Sequence, residues 1–302
     1  MSYKKGIIMK NIIFISILIL AFTQVCCYGQ QDQVDTMAIK GNWPEWFIGS
    51  TVQIELHSQI ANSDYDIYIY LPPSYFHCEK TYPVLYLTDA FHAFGICKNS
   101  CDLMIFGKDI PEIIVVGIGF KGDNTVDYVK KRVRDFTHTK SSRMLTSGRA
   151  LFFYNFIGNE LIPTIESEYR TDSAQRSLAG FSLGGQFAAY AMLLEPNLFN
   201  NFIIGSPTYW WDNKNIISLA KSNIDNIKNL NLTVYTFIGE LDAVDSTFWK
   251  EFNEVILSNK SSEFNFKQEV FKGETHTSVF PAAFSTALKF IYSEKGSYAG
   301  TN

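Results

Sequence analysis

Five short runs that are apolar almost without a break constrain this chain more than any other feature: Val84–Leu87, Ile113–Ile118, Ser177–Phe181, Phe202–Ile204 and Leu232–Ile238. Runs of this length and character suit strands buried on both faces, as in parallel sheets. Helical spacing separates several of them. Leu151, Phe152, Phe156, Ile157, Leu161, Ile162 and Ile165 recur at intervals of three and four behind Gly148, and a second pattern runs from Gln186 to Leu194 and stops at Pro196. Further helices are expected near Ile216–Ala220, Phe248–Leu257 and Pro281–Ile291. Val52–Leu56 and Tyr65–Leu71, the latter ended by Pro72-Pro73, read as an antiparallel opening pair, and Phe264–Phe271 as a last strand. The expected fold is therefore α/β, an eight-stranded, mostly parallel twisted sheet with helices on both faces. Right-handed crossovers place its loops at the carboxyl ends of the strands, where ligands bind in open sheets. Residues 120–147 match no element and read as an insertion near that edge.

The 302 residues include 46% hydrophobic ones, which excludes a disordered or low-complexity chain. Lys and Arg total 26 against 30 Asp and Glu, so there is no basic excess to neutralise phosphates, and nucleic acid is excluded as a partner. Lys4, Lys5 and Lys10 precede an apolar run from Ile12 to Phe22, the pattern of a secretory signal peptide and too short for a membrane span of roughly 20 residues. Met9 is an alternative start. Cys27 and Gly29 make a small-x-small cleavage site ahead of Gln30, giving a leader of residues 1–29, a short lead of 30–50, one domain over 51–296 and a tail of 297–302. The chain is thus expected in the periplasm or outside the cell. Cys26 and Cys27 raise a lipid anchor, but Val25 stands where a lipoprotein site takes a small residue. Of the remaining cysteines, Cys78, Cys97 and Cys101, the last two are spaced to form a bridge or to sit as buried thiols. No second pair or His cluster accompanies them, so no metal site is expected.

Gly180-Phe181-Ser182-Leu183-Gly184 matches G-x-S-x-G. Such a pentapeptide arises by chance in roughly one chain in ten of this length. Its weight comes from its setting, between an apolar run and a helical pattern, where a serine hydroxyl projects from a sharp strand-to-helix bend. The plain alternative is a glycine-rich turn that starts a helix. A serine hydroxyl needs a base, and the chain has five His residues. His57 falls in the first strand, His77 in a loop and His138 in the insertion. His92 follows the Val84–Leu87 strand and is a candidate pocket residue. His276, in Gly273-Glu274-Thr275-His276-Thr277, lies after the last strand and before the last helix, where the order Ser, acid, His places the base. The acid should follow the Leu232–Ile238 strand. Asp242 is the first choice, with Glu240 and Asp245 as alternatives; those not used are solvated turn or cap residues. For an oxyanion, the donors are the backbone N–H of Leu183 and one from Thr88-Asp89-Ala90-Phe91, near Ala90. Asp89 is either a substrate contact or a turn residue.

With these residues placed, the chain resembles the esterase branch of the α/β-hydrolase superfamily that takes in feruloyl and acetyl-xylan esterases, ferric-siderophore esterases, S-formylglutathione hydrolases and mycolyltransferases. The resemblance runs from about Thr51 to the last helix. It is carried by Tyr65–Pro73 with Tyr75, by Tyr82-Pro83-Val84-Leu85-Tyr86-Leu87 with Asp89, by Arg132–Asp135 and by Phe156–Tyr169. Ser206-Pro207 with Trp210-Trp211-Asp212-Asn213 completes it. Two positions depart from the pattern: Ala90 replaces a usual Gly, and His138 a frequent Pro. Tyr209, Trp210 and Trp211 serve either as a platform for a sugar or aryl group or as packing.

The resemblance implies an exported carboxylic-ester hydrolase working through an acyl-enzyme, with Ser182 as nucleophile, His276 as base and Asp242 as orienting acid. No cofactor is required. The expected partner is a small-molecule or carbohydrate-linked ester. Two rivals remain, an acyltransferase that passes the acyl group to a sugar or lipid alcohol and a non-catalytic binding protein on the same fold.

Overall fold

The computed structural model describes residues 49–121, 125–142, 144–194, 198–243 and 246–293. The expected leader, all but the last two residues of the lead, the tail, Pro196 and Asp245 lie outside the described residues. The chain divides into two compact units; residues 49–121 and 131–293 belong to the main one, and residues 125–130 to the other.

Strands β1 (Thr51–Ser58) and β2 (Ser63–Tyr70) form the antiparallel opening pair, in register from Thr51 opposite Tyr70 to Ser58 opposite Ser63. β2 pairs antiparallel with β4 (Ile114–Phe120). From there the sheet is parallel through β3 (Tyr82–Thr88), β5 (Thr171–Phe181), β6 (Asn201–Gly205), β7 (Thr233–Gly239) and β8 (Asn265–Phe271). The order across the eight strands is β1-β2-β4-β3-β5-β6-β7-β8. β4 is buried along its whole length, as its unbroken apolar run requires. β5 begins six residues before its apolar run, because Thr171–Arg176 is polar and at least partly exposed. An apolar signature cannot register such a segment.

The helices are α1 (Ala90–Phe106), α2 (Thr125–Phe136), α3 (Ala150–Phe156), α4 (Ile162–Glu168), α5 (Leu183–Leu194), α6 (Trp211–Ile227), α7 (Ser246–Leu257) and α8 (Val279–Tyr292). A π turn, Ile157–Leu161, joins α3 to α4. From it Glu160 reaches the β1–β2 turn, accepting hydrogen bonds from the Gln59 and Ile60 amides at 3.0 and 3.2 Å. The single helix expected over 151–165 is thus interrupted by a wider turn that aims one carboxylate.

Two helices differ from expectation. α1 occupies a stretch to which the sequence reading assigned no element. Its buried residues Ala90, Ala93, Phe94, Cys97, Cys101 and Met104 follow helical spacing, but Phe91, Leu103 and Phe106 are exposed on other faces and erase the contrast on which a periodicity reading depends. α2 lies inside residues 120–147, which are therefore not an element-free insertion. Its charged residues conceal the buried pair Val133 and Phe136. Cys97 and Cys101, one turn apart on α1, carry free thiols.

Alternate residues of each strand feed two cores. α1 and α8 cover one face with Leu85, Leu87, Val115, Ala179, Ile203 and Phe237. On α5, Phe187 is fully buried, with ring centroids 4.9 Å from Phe153 and 5.8 Å from Phe136. Phe187→Ala should cost about 3–5 kcal/mol of unfolding free energy, read as a lowered denaturation midpoint in urea with an unchanged slope.

Candidate active site

Three crossover loops meet at the carboxyl end of the sheet, and glycine governs how closely they meet. β5 ends at Phe181, Ser182 turns with φ 58°, and α5 starts at Leu183. A left-handed backbone costs a non-glycine residue about 1–2 kcal/mol, so this bend is held from outside. Ser182 N–H donates to the Gly205 carbonyl at 2.9 Å, and the Ser182 carbonyl accepts from Gln186 at 3.0 Å and Thr208 at 3.3 Å. A Cβ on Gly180 would lie 2.0 Å from the Gly184 carbonyl oxygen, and one on Gly184 would lie 2.4 Å from Thr88 Oγ1. Only glycine at both positions lets the bend close and lets α5 start against the end of β3.

The second loop follows β7. Leu241 N–H donates to the Glu274 carbonyl and Glu240 N–H to the Phe271 carbonyl, both at 2.9 Å, while Glu240 Oε2 accepts from Gly273 N–H at 2.9 Å. These bonds tie it to the third loop, between β8 and α8, which carries His276. His276 Nε2 stands 3.1 Å from Ser182 Oγ, and its Nδ1 stands 2.7 Å from Asp242 Oδ2. Asp242 is 5% exposed and the His276 side chain 34%. The Phe181 ring lies 5.1 Å from the imidazole. Of the alternative acids, Glu240 serves as the fastener just described.

Ala90 and Leu183 occupy the first positions of α1 and α5, where backbone N–H groups have no acceptor within the helix. Asp89, which precedes Ala90, is left-handed at φ 57° and buried. Its carboxylate is held by Arg132 in a fork, Nε to Oδ1 at 2.8 Å and Nη2 to Oδ2 at 2.8 Å. Arg132 Nη2 also donates to the Phe181 carbonyl at 3.3 Å. One guanidinium therefore spans the loop carrying Ala90 and the strand end carrying Ser182. Sequence reasoning passed over Arg132 as a site residue, although Arg132–Asp135 was itself a recognisable motif.

His92 is exposed on the first turn of α1, with its ring edge-to-face against Phe91 at 5.0 Å. Tyr209 is fully buried, its ring 4.4 Å from Phe252, and Trp211 is buried with its indole N–H toward the Thr139 carbonyl at 3.4 Å. Packing accounts for both, and Trp210 alone of the three is half-buried. His138 stacks on Tyr190 at 5.2 Å and pairs through Nε2 with Asn215 Oδ1 at 3.1 Å; burial holds its pKa below the ordinary value. Among the described residues no group of His, Cys, Asp or Glu is arranged to hold a metal, and no helix is long and apolar enough to cross a membrane.

This strand order, with a left-handed serine between the central strand and its helix and a histidine loop after the last strand, defines the α/β-hydrolase class. The family model described as "Putative esterase" matches residues 58–291, and the chain belongs to that family and is a carboxylic-ester hydrolase. It is similar to the ferri-bacillibactin esterase BesA of Bacillus subtilis (strain 168), 29% identical over 269 residues that span 80% of this chain and 89% of that protein. Among solved structures, the BES protein from Bacillus cereus superposes with a TM-score of 0.77 at 26% identity, over 84% of this chain and 100% of that one. An IroE-like serine hydrolase from Shewanella oneidensis shares the fold, with a TM-score of 0.72 at 22% identity over 80% of each chain.

Gly239 ends β7 directly beneath the histidine loop, and a Cβ there would lie 2.4 Å from the Glu274 carbonyl oxygen. Gly239→Ala should push residues 273–276 outward and lower kcat by about 10² with little change in KM, measured by steady-state ester hydrolysis alongside an unchanged circular dichroism spectrum.

Proposed function

We propose that the protein hydrolyses esters through a covalent acyl-serine formed on Ser182. The observation that carries this reading is the unbroken chain of hydrogen-bonding distances from Ser182 Oγ through His276 to Asp242. Ser182 Oγ attacks the ester carbonyl carbon while its proton passes to His276 Nε2. Asp242 holds Nδ1–H, which fixes the tautomer with a free Nε2 lone pair and stabilises the imidazolium that forms. The negative charge gathers on the former carbonyl oxygen, where the Leu183 and Ala90 N–H groups donate to it. Collapse of this intermediate breaks the bond to the alcohol, and His276 returns the proton to the leaving oxygen. Water then repeats the sequence: His276 takes its proton, the hydroxide adds to the acyl carbon, and Ser182 departs with the proton restored. Arg132 is a positioning residue here, keeping Asp89 left-handed so that Ala90 points its N–H inward.

The similar proteins named above, together with this site, support a substrate class. The relative from Bacillus subtilis is a ferri-bacillibactin esterase, and we assign this chain a small-molecule or carbohydrate-linked ester. Export by the amino-terminal leader belongs to the same proposal, and a chain recovered from the medium with a mass beginning at Gln30 is the expected result.

Ser182→Ala should abolish labelling by a fluorophosphonate probe and turnover of p-nitrophenyl acetate. Asp242→Asn should keep the label while lowering kcat by about 10⁴. Labelling of the Ser182→Ala protein at the wild-type rate, or acyl transfer to an added alcohol outpacing hydrolysis, would reject hydrolysis at this serine as the main activity. Arg132→Ala should lower kcat by about 10²–10³, the scale of losing one oxyanion donor, with Arg132→Lys recovering only part because a single ammonium cannot reproduce the fork.

A further inference from the structure

The peptide unit between Ser182 and Leu183 faces two ways. Its N–H, on Leu183, is one of the oxyanion donors of the acyl-serine mechanism, and its C=O, on Ser182, points the opposite way because a trans peptide is planar. Whatever grips the carbonyl therefore aims the N–H. Gln186 N–H binds that carbonyl at 3.0 Å and Thr208 N–H at 3.3 Å. The first is the ordinary helical bond to the fourth residue before. The second arrives from outside α5, on the loop that follows β6. The same loop accepts Ser182 N–H at the Gly205 carbonyl, 2.9 Å away, so it clasps the serine at both of its backbone groups.

A pair of side chains fastens that loop to the helix. Thr208 Oγ1 donates to Gln186 Oε1 at 3.4 Å, and both residues are buried. Behind Thr208, Trp211 N–H closes on its carbonyl at 3.1 Å, and Ser206 N–H donates to the Phe237 carbonyl at 2.8 Å. The fastening carries a penalty. Gln186 is fully buried, and its Nε2 has no hydrogen-bond partner among the described residues, a desolvation that a methionine of similar length would escape. Stability alone does not account for a glutamine at this position. Orientation does, because an apolar side chain has no oxygen with which to hold Thr208.

We propose, resting on the acyl-serine reading above, that Thr208 and Gln186 are positioning residues that aim the Leu183 N–H at the oxyanion by holding the Ser182 carbonyl, the far end of the same peptide unit. Neither moves a proton in the reaction. The hydrogen bond they align strengthens as charge gathers on the former carbonyl oxygen, so misalignment lowers kcat and kcat/KM together and leaves KM in place. It also weakens any inhibitor that places an oxyanion in the same position.

The test uses the full chain, with p-nitrophenyl acetate as substrate and an aryl trifluoromethyl ketone as inhibitor. Ser182 Oγ adds to the ketone carbon, its proton passes to His276, and the charge rests on the ketone oxygen. Turnover is expressed per serine labelled by a fluorophosphonate, which removes the fraction of misfolded enzyme from the comparison. Thr208→Val should lower kcat and inhibitor affinity together, each about 5- to 20-fold, part of the 10²–10³ lost with a whole donor, and Thr208→Ser should recover most of the loss. The double variant Thr208→Val, Gln186→Met removes both polar partners at once. It should unfold at the same or a higher urea concentration than the unaltered protein and stay as slow as Thr208→Val alone. A double variant that unfolds earlier overturns the proposal, since the pair would then be holding the fold. Unchanged kcat and inhibitor affinity in Thr208→Val, or a loss confined to KM, also overturn it and spare the acyl-serine reading. Absence of labelling at Ser182 in the unaltered protein strikes that reading itself, and the positioning pair with it.

Discussion

At the carboxyl end of this sheet, backbones pass one another at separations no side chain could occupy. The start of α5 lies against the end of β3 because Gly184 has no Cβ to meet Thr88, and β7 turns beneath the histidine loop because Gly239 has none to meet Glu274. Gly180 lets the serine bend fold back on the first turn of its own helix. Hydrogen bonds then fix what the glycines allow: Ser182 N–H to Gly205, Thr208 N–H to Ser182, Leu241 N–H to Glu274. The meeting of Ser182, His276 and Asp242 is a consequence of these close approaches. A shift of even one ångström in any of the three loops would break a contact whose length is 3.1 or 2.7 Å.

The Asp89–Arg132 fork illustrates a different balance. Burying a charge pair often gains little over an apolar pair of the same shape, because desolvation consumes the Coulombic attraction. Its presence here is better explained by geometry than by stability. Asp89 is left-handed and opens α1 with no cap from its own side chain, because that carboxylate is turned toward Arg132. The guanidinium fork repays the lost cap, and its reach to the Phe181 carbonyl links two segments that share no strand pairing at that point. Removing one partner would strand the other in a site nearly closed to water, which is far costlier than never having had the pair.

How much of this was legible in the sequence depended on whether the signal was local. Buried parallel strands announce themselves by apolar runs, which made the buried parts of β3 to β7 readable, while β1, β2 and β8 were read from their residue types and bounding turns, and the polar first half of β5 was missed. The bend at Ser182 was readable because its glycines are contiguous with it. Helix α1 was not, because Phe91, Leu103 and Phe106 add apolar residues on its exposed side. Spacing alone could not separate Asp242 from Glu240. The two carboxylates are two residues apart, and the fold of the turn after Gly239 sends one to the imidazole and the other to the Gly273 amide. Arg132 is 43 residues from Asp89, so its partner was invisible without the sheet.

The least legible feature is the turn at Asp212, Asn213 and Lys214, three successive residues in left-handed conformation with φ of 45°, 53° and 57°. Asp and Asn adopt this region more readily than Lys, and together the three cost up to about 3–6 kcal/mol. The contacts made by the turn itself are too weak to hold it. Lys214 meets Glu251 at 2.6 Å with both side chains partly exposed, an arrangement worth at most about 1 kcal/mol. The compensation comes from either side. Tyr209 and Trp211 are buried before the turn, Ile216 and Ile217 after it, and each large side chain returns about 1.5–3 kcal/mol on burial. His138 then clamps Asn215 from the facing loop. A proline at position 138 would have no side-chain donor or acceptor to offer Asn215, so the departure from the family pattern at that position and the strained turn opposite it belong to one local solution. That solution leaves Trp210 half-buried at the start of α6, two residues from the Thr208 amide that holds the serine bend.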